Sequence, residues 1–410
     1  MNPAGPTKVL VLTSTLPRWQ GDTEPRFVEY LSYELARVFE VVVLAPHYPG
    51  AARQETLSNG KQALAIHRFR YFVPALQSLA YDGGILSRIR QNPLRLLLIP
   101  FFLAAQLYAI VRLHRRHRFD AIHAHWIIPQ GLVVAVFRLL SRQAPPILIT
   151  SHGGDLFALR GVAMTRLKRW ILTTATAVTV VSEAMRSYCA DLGCDEKGIM
   201  VRSMGVDLRS TFTPGDATAQ RRGLVFVGRL VEKKGAAFLI EAMALLTEQY
   251  ADLRLTVIGD GPVWRSLLEL TERHQLQENV RFVGSVPNVQ LPDYLRAAKI
   301  MVMPSVVAAS GDQEGLGLVA LEAMGCGCAV VASDLPAVRD TILDGRTGLM
   351  VKPANAEDLA EKIGQLLAND KMRQTLAEKG RRYAAENFDW RIVGESYTEF
   401  ISGMIRPTAN

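Results

Sequence analysis

Four segments of this 410-residue chain combine charge, glycine and position in ways that suit chemistry. The first is Gly228-Arg229-Leu230-Val231-Glu232-Lys233-Lys234-Gly235, directly after an apolar run that reads as a strand. Glycines at its ends let the backbone approach a ligand, and Arg229 and Lys234 are able to grip a diphosphate. The competing reading is a solvated basic loop. The second segment runs from Glu314 to Glu322. Gly315 and Gly317 are placed to open a helix whose free amides favour an anion. Eight residues of helix rise about 12 Å, a span that suits a nucleotide sugar with its sugar at Glu314 and its ribose at Glu322. The competing reading makes Glu322 a surface helix residue and Glu314 a helix-start charge.

The third segment is Ser151-His152-Gly153-Gly154-Asp155, again after a strand-like run. A lone histidine is more often structural than catalytic, but the glycines and the strand-end position favour a role for His152. The fourth is the connection Ser14–Pro25, where Gly21 would let backbone amides reach phosphates. Glycine is common in loops, so that signal is weak alone.

All four need a scaffold that gathers loops at one edge. Short β-rich runs alternate with amphipathic stretches throughout, the pattern of βαβ units and parallel sheets. Strands are expected at 8–13, 41–45, 121–124, 147–151 and 177–181, then at 224–227, 254–258, 280–283, 300–303 and 329–332. Helices are expected at 26–38, 236–249, 262–274, 291–298 and 318–324. In open parallel sheets, ligands collect at the strand C-termini, where these four segments fall. Polar, aperiodic residues 206–222 read as a linker, giving domains 1–205 and 223–385.

Net charge is +8, divided unevenly. Residues 1–205 carry 24 Lys and Arg against 13 Asp and Glu, a balance of +11, and the remainder carries 23 against 26, or −3. A basic half suggests an anionic partner. No zinc-finger spacing, RNP-like motif or basic tail points to nucleic acid, so an anionic membrane is the expected surface. Leu94–Val111 is apolar but interrupted by Arg95, Pro100 and Gln106 and slightly short for a span, which predicts a buried or interfacial helix. Cys189, Cys194, Cys326 and Cys328 lack zinc spacing and read as free thiols in a reducing compartment. The N-terminus shows no basic region before an apolar core, so a cytoplasmic location, extending to the inner face of the cell membrane, is expected.

Two other functions compete. A nucleotide-dependent oxidoreductase would want Gly-x-Gly-x-x-Gly after the first strand, and Thr13–Gly21 has nothing of the kind. A non-catalytic glycan- or membrane-binding module would need no set of two glutamates, two cations and a histidine.

The ordered set GRLVEKKG, GDGP at Gly259–Pro262 and EGLGLVALEAMGCG at Glu314–Gly327, with SHGGD upstream, resembles family 4 of the retaining glycosyltransferases over nearly the whole chain. The opening PRWQGDTEPRFV and the segment Gly311–Glu314 further resemble bacterial enzymes of capsule, exopolysaccharide and lipopolysaccharide assembly. The resemblance implies the GT-B fold: two doubly wound Rossmann-like domains facing across a cleft, with a C-terminal helix, here 386–410, crossing back to pack on the N-terminal domain. It implies that Arg229 and Lys234 bind the donor diphosphate, Glu322 the ribose, and Glu314 with the amides of Leu316 to Leu318 the sugar and phosphates. By the same resemblance His152 lies beside the reacting sugar, Gly21 near the phosphates and Val286 at the base. The implied reaction moves a hexose-type sugar from a nucleoside diphosphate to a glycan or lipid-linked acceptor, with retention. No metal or other cofactor is expected, since the chain has no Asp-x-Asp.

Overall fold

The computed structural model describes residues 6–22, 24–157, 159, 161–195, 198–216 and 220–405. The chain forms two compact units. One comprises Met1–Val181, Met185–Arg202 and Val393–Asn410; the other comprises Ser182–Ala184 and Ser203–Ile392.

The first unit is built on eight strands: β1 Lys8–Leu12, β2 Glu40–Pro46, β3 Gln54–Ser58, β4 Ala63–Phe69, β5 Ala121–His125, β6 Ile147–Ser151, β7 Ala177–Val180 and β8 Ile199–Val201. Their order in the sheet is β3-β4-β2-β1-β5-β6-β7-β8, parallel except for the edge pair β3–β4. Runs such as Val9–Leu12 and Ile147–Ser151 are buried on both faces, which is why they are continuously apolar rather than alternating. The second unit carries β9 Leu224–Val227, β10 Leu255–Ile258, β11 Val280–Gly284, β12 Ile300–Met303, β13 Ala329–Ser333 and β14 Leu349–Val351, all parallel, in the order β11-β10-β9-β12-β13-β14. Numbered within the unit this is 3-2-1-4-5-6, the doubly wound dinucleotide-binding order. Its switch point falls between β9 and β12, and that of the first unit between β1 and β5.

Two expectations are adjusted. The expected linker is no solvated connector. Val206, Leu208 and Phe212 are buried in the second unit's core beside Met324 and Phe388, because the helix ending at Gly325 leaves a surface their side chains fill. Residues 217–219 of that stretch lie outside those described. The C-terminal segment expected to pack on the first domain divides. Phe388 and Trp390 are buried in the second unit, and only Val393 onward belongs to the first. Within the first unit, Tyr397 is fully buried, stacks on His123 at 5.6 Å and donates from its hydroxyl to Arg202 O at 3.1 Å. Residues 406–410 lie outside the described set.

Leu94–Val111 is helical over most of its length and partly buried. A 3-10 turn over Pro93–Leu98 leads into the helix Ile99–His117, and together they are long and apolar enough to cross a membrane, with a mean hydropathy of 2.0 over an 18-residue window. One face, Phe102, Gln106, Ile110 and Leu113, is buried against the unit, with the Phe102 ring 5.1 Å from those of Phe69 and Tyr71. The other face is exposed.

Candidate functional site

In the second unit, the loops after β9 and β12 meet at the switch point. Gly235 has φ +65° and its Cα faces the Pro304 carbonyl so closely that a Cβ would overlap it. Val306 N donates to Lys233 O at 2.8 Å, and Ala309 N donates to the Glu232 carboxylate at 2.8 Å. Lys233 Nζ reaches Asp312 Oδ1 at 3.0 Å and Gln313 O at 3.2 Å. These bonds clamp one loop to the other and bring Lys234 Nζ to Glu314 Oε2 at 2.6 Å. The GDGP turn packs beneath, with Gly259 and Gly261 so close to the carbonyls of Gly228 and Leu230 that no side chain would fit.

The two glutamates have opposite electrostatics. Burial alone would raise the Glu314 carboxyl, but the Lys234 charge and hydrogen bond, with help from Lys233 and the Gly315 amide at 3.2 Å, hold it down at about 2. Burial pushes Glu322 up to about 8, with only the Lys234 charge opposing. At neutral pH Glu314 is therefore a carboxylate and Glu322 largely a neutral acid, able to donate as well as accept.

The helix that follows starts at Leu318, as expected. It covers Leu318–Gly325 with Gly317 at its N-cap, φ +84°, its Cα against Met303 Cε. Glu314 to Leu316 thus lie in the loop, and the helical rise does not measure the separation of the two carboxylates. The expectation that Gly315 opens the helix is corrected in the same way. Arg229 is exposed on its loop, and Val286 is partly buried against the core cluster that contains Ile258 and Leu321.

In the first unit, His152 follows β6 and faces an aromatic cage. Its ring lies 4.9 Å from Phe27, 5.0 Å from Trp126 and 5.1 Å from His125. His125 Nδ1 and His152 Nε2 share a hydrogen bond of 2.9 Å. Beneath them, His123 Nε2 and Thr150 Oγ1 are 2.7 Å apart, and Thr150 meets Thr179 at 2.6 Å. Burial holds all three imidazoles well below their ordinary value, so His152 is neutral and its outward nitrogen is set as donor or acceptor by the tautomer of His125. Asp155 fixes the loop: its carboxylate accepts from Ser151 Oγ at 2.9 Å, His152 N at 3.3 Å and Ile127 N at 2.6 Å. Trp126 holds φ +73°, a conformation rare for a bulky residue and a mark of local constraint. Gly21, φ +83°, sits exposed in a turn closed by Asp22 N donating to Trp19 O at 3.3 Å. Neighbouring Arg18 pairs with Asp22 and Asp82 at 2.8 Å and lies over the Trp19, Tyr48 and Tyr81 rings.

Sequence reasoning missed the Lys233–Asp312 clamp and the His123–His125–His152 stack. The signal for the stack was present as alternate histidines on a strand beside a third at the end of its neighbour.

These two Rossmann-like units, each with its candidate residues at the ends of parallel strands, define a glycosyltransferase of GT-B fold. Models for glycosyl transferases group 1 and for glycosyltransferase family 4 match residues 215–383 and 25–210, and the chain belongs to that family. It is 28% identical over 406 residues, 96% of this chain and 98% of the other, to a GDP-mannose-dependent α-(1-6)-phosphatidylinositol monomannoside mannosyltransferase of Mycolicibacterium smegmatis. It is 22% identical to N-acetyl-α-D-glucosaminyl L-malate synthase of Bacillus anthracis, over 84% of this chain and 91% of that one. Sucrose-phosphate synthase from Thermosynechococcus elongatus has the same fold, with a TM-score of 0.77 at 22% identity over 98% of this chain and all of that one. So does Anabaena HepE in complex with UDP, with 0.69 at 17% over 97% and all. The oxidoreductase reading is set aside.

Proposed function

We propose that this glycosyltransferase moves a hexose-type sugar from a nucleoside diphosphate to a hydroxyl of a lipid-linked glycan, with retention of anomeric configuration and without a metal, at the cytoplasmic face of the cell membrane. The observation that carries the reading is the Lys234–Glu314 pair at the switch point, 2.6 Å long, with Arg229 on the same loop. Lys234 and Arg229 supply fixed positive charge where the leaving diphosphate develops negative charge, a role that preorganised groups fill at little reorganisation cost. Glu314, held ionised, accepts from sugar hydroxyls, and the amides at Leu316 to Leu318 serve the sugar and phosphates. Glu322 takes the ribose and Val286 the base. In the first unit, neutral His152 orients the reacting sugar and Gly21 leaves backbone amides open to phosphate.

In the transfer, the acceptor oxygen bonds to the anomeric carbon as the bond from that carbon to the phosphate oxygen breaks. Attack on the leaving group's own face delivers the acceptor proton to the departing diphosphate, so no protein carboxylate is required as base. The Mycolicibacterium relative's lipid-containing substrate supports a lipid-linked acceptor.

The test begins with a thermal-shift screen of nucleotide sugars, since a donor bound to the native state stabilises it by mass action. Proton NMR of the first product made with the selected donor, in EDTA, reads stereochemistry and metal dependence together. Retention with full activity is expected; an inverted product or chelator-abolished activity overturns the mechanism. Lys234→Ala should lower kcat/KM by roughly 10- to 150-fold, the value of a charge-assisted hydrogen bond.

A further inference from the structure

The helix Ile99–His117 carries large apolar side chains on its outer face as well as on its packed one. Its packed face includes Gln106, wholly buried, whose amide has no hydrogen-bond partner among the described residues. Its outer face carries Phe101 and Tyr108, 52% and 69% exposed, and the preceding turn adds Leu94 and Leu97 at 72% and 70%. At spacings of four and seven these side chains share one stripe with Arg112 and Arg115 one turn further on. Exposed Phe72 extends the apolar end, its ring 5.2 Å from that of Phe101.

The cationic end of the stripe opens on a groove of about 160 Å³ between this helix and the edge strands β3 and β4. Arg53, His67, Arg70, Tyr108, Arg112 and Arg116 line it, and among the described residues no acidic side chain does. Arg68, deeper in, is answered by Glu55 at 2.7 Å. Arg53, Arg70, Arg112 and Arg116 have no ion-pair partner among the described residues. His67, caught by burial and then by the charges of His117, Arg116 and Arg112, is held below its ordinary pKa.

Tyr108 belongs to both features, so apolar stripe and cationic groove form one continuous surface. A small soluble anion would satisfy the groove and leave the stripe bare. An anionic bilayer supplies both requirements at once, a phosphate beside an apolar interface. We propose that this groove takes the phosphate of an anionic phospholipid headgroup while Phe72, Leu94, Leu97 and Phe101 enter the bilayer interface, docking the first unit on the membrane. The assignment rests on the reading that the enzyme works at a membrane, and it names the surface and the lipid chemistry.

The test uses the full chain with vesicles of phosphatidylcholine alone or with 30% phosphatidylglycerol added, at low and high salt. Wild type should bind the anionic vesicles in a salt-sensitive way and the neutral ones weakly, since surface attraction is screened within about 10 Å. The triple variant Arg53→Ala/Arg112→Ala/Arg116→Ala should lose binding to anionic vesicles on the order of 100-fold, at about five-fold per arginine. Phe72→Ser/Phe101→Ser should weaken binding to both compositions. All five positions are exposed or at the exposure margin, so circular dichroism and transfer to a soluble acceptor should stay at wild-type levels. The His67 ring resonances should shift on adding vesicles containing phosphatidylglycerol and not with phosphatidylcholine. Undiminished anionic-vesicle binding by the triple variant would overturn the groove while leaving the membrane reading standing. Wild type that binds neither vesicle would overturn both. A His67 shift with inorganic phosphate but not with vesicles would reassign the groove to a small soluble anion and overturn the docking proposal.

Discussion

Lys234 stands between two glutamates and treats them differently. Its ammonium bonds to Glu314, and its charge only partly offsets the burial of Glu322. The consequence for stability follows from linkage. Below about pH 4.5 Glu322 is protonated in both the folded and the unfolded chain and costs nothing. Between 4.5 and about 8 the unfolded chain releases a proton that the folded one keeps, so stability falls as pH rises across that window. Glu322→Gln removes this loss. The Tm advantage of the variant over wild type should be absent near pH 4.5 and grow to roughly 3–6 °C by pH 8, on the order of 1–2 kcal/mol for a partly exposed group. Donor affinity should fall in the same variant. A Tm difference that does not change with pH would show that Glu322 ionises freely. None of this is visible in the spacing of two glutamates, because the shift depends on which of them the folded loops hand to the lysine.

At the scale of elements, the parallel strands were legible because burial on both faces leaves unbroken apolar runs, and β6, β9 and β12 fall on the residues expected. The edge pair β3–β4 escaped notice. Strand β3 is half-exposed and polar, and β4 alternates buried Leu64, Ile66 and Arg68 with more exposed neighbours, so neither has such a run, although Asn59-Gly60 between the two stretches is a hairpin signal that could have found them. The motif residues of the candidate site were legible, but not the clamp between the two loops, since Lys233 and Asp312 are 79 positions apart and only the β9–β12 adjacency unites them. That clamp depends on the bare backbone of Gly235. Gly345 has the same φ of +65° with nothing within 4 Å of a Cβ, which makes it a matched control. Gly345→Ala should cost about 1 kcal/mol for the conformation alone. Gly235→Ala should cost roughly 2–4 kcal/mol, because the Pro304 backbone must also move, and donor affinity should drop with it. Equal losses in urea unfolding would mean that the close approach contributes nothing.

At the scale of the molecule, the first unit is completed by residues that follow the second. Val393, Tyr397 and Ile401 are 4%, 0% and 0% exposed, and Tyr397 covers the His123 ring. A chain ending at Ile392 keeps the second unit's core intact and strips the first of these contacts. Burying three large side chains is worth several kcal/mol in total, so the first unit of the shortened chain should melt well below its wild-type temperature. Trypsin should then digest residues 1–202 rapidly and leave a resistant fragment near residues 203–392. Equal protection of both halves in the shortened chain would refute this division of stability.

The same feature sets an order of events during synthesis. All of β9–β14 and the helices between them leave the ribosome before Val393 does, so the unit made second is complete while the unit made first still lacks its last piece. Domains usually fold as they emerge, N-terminal first. Here the stack beneath His152 stays uncovered on its Tyr397 side until residues 393–405 have emerged, so the histidine face is finished only after the whole second unit has been made.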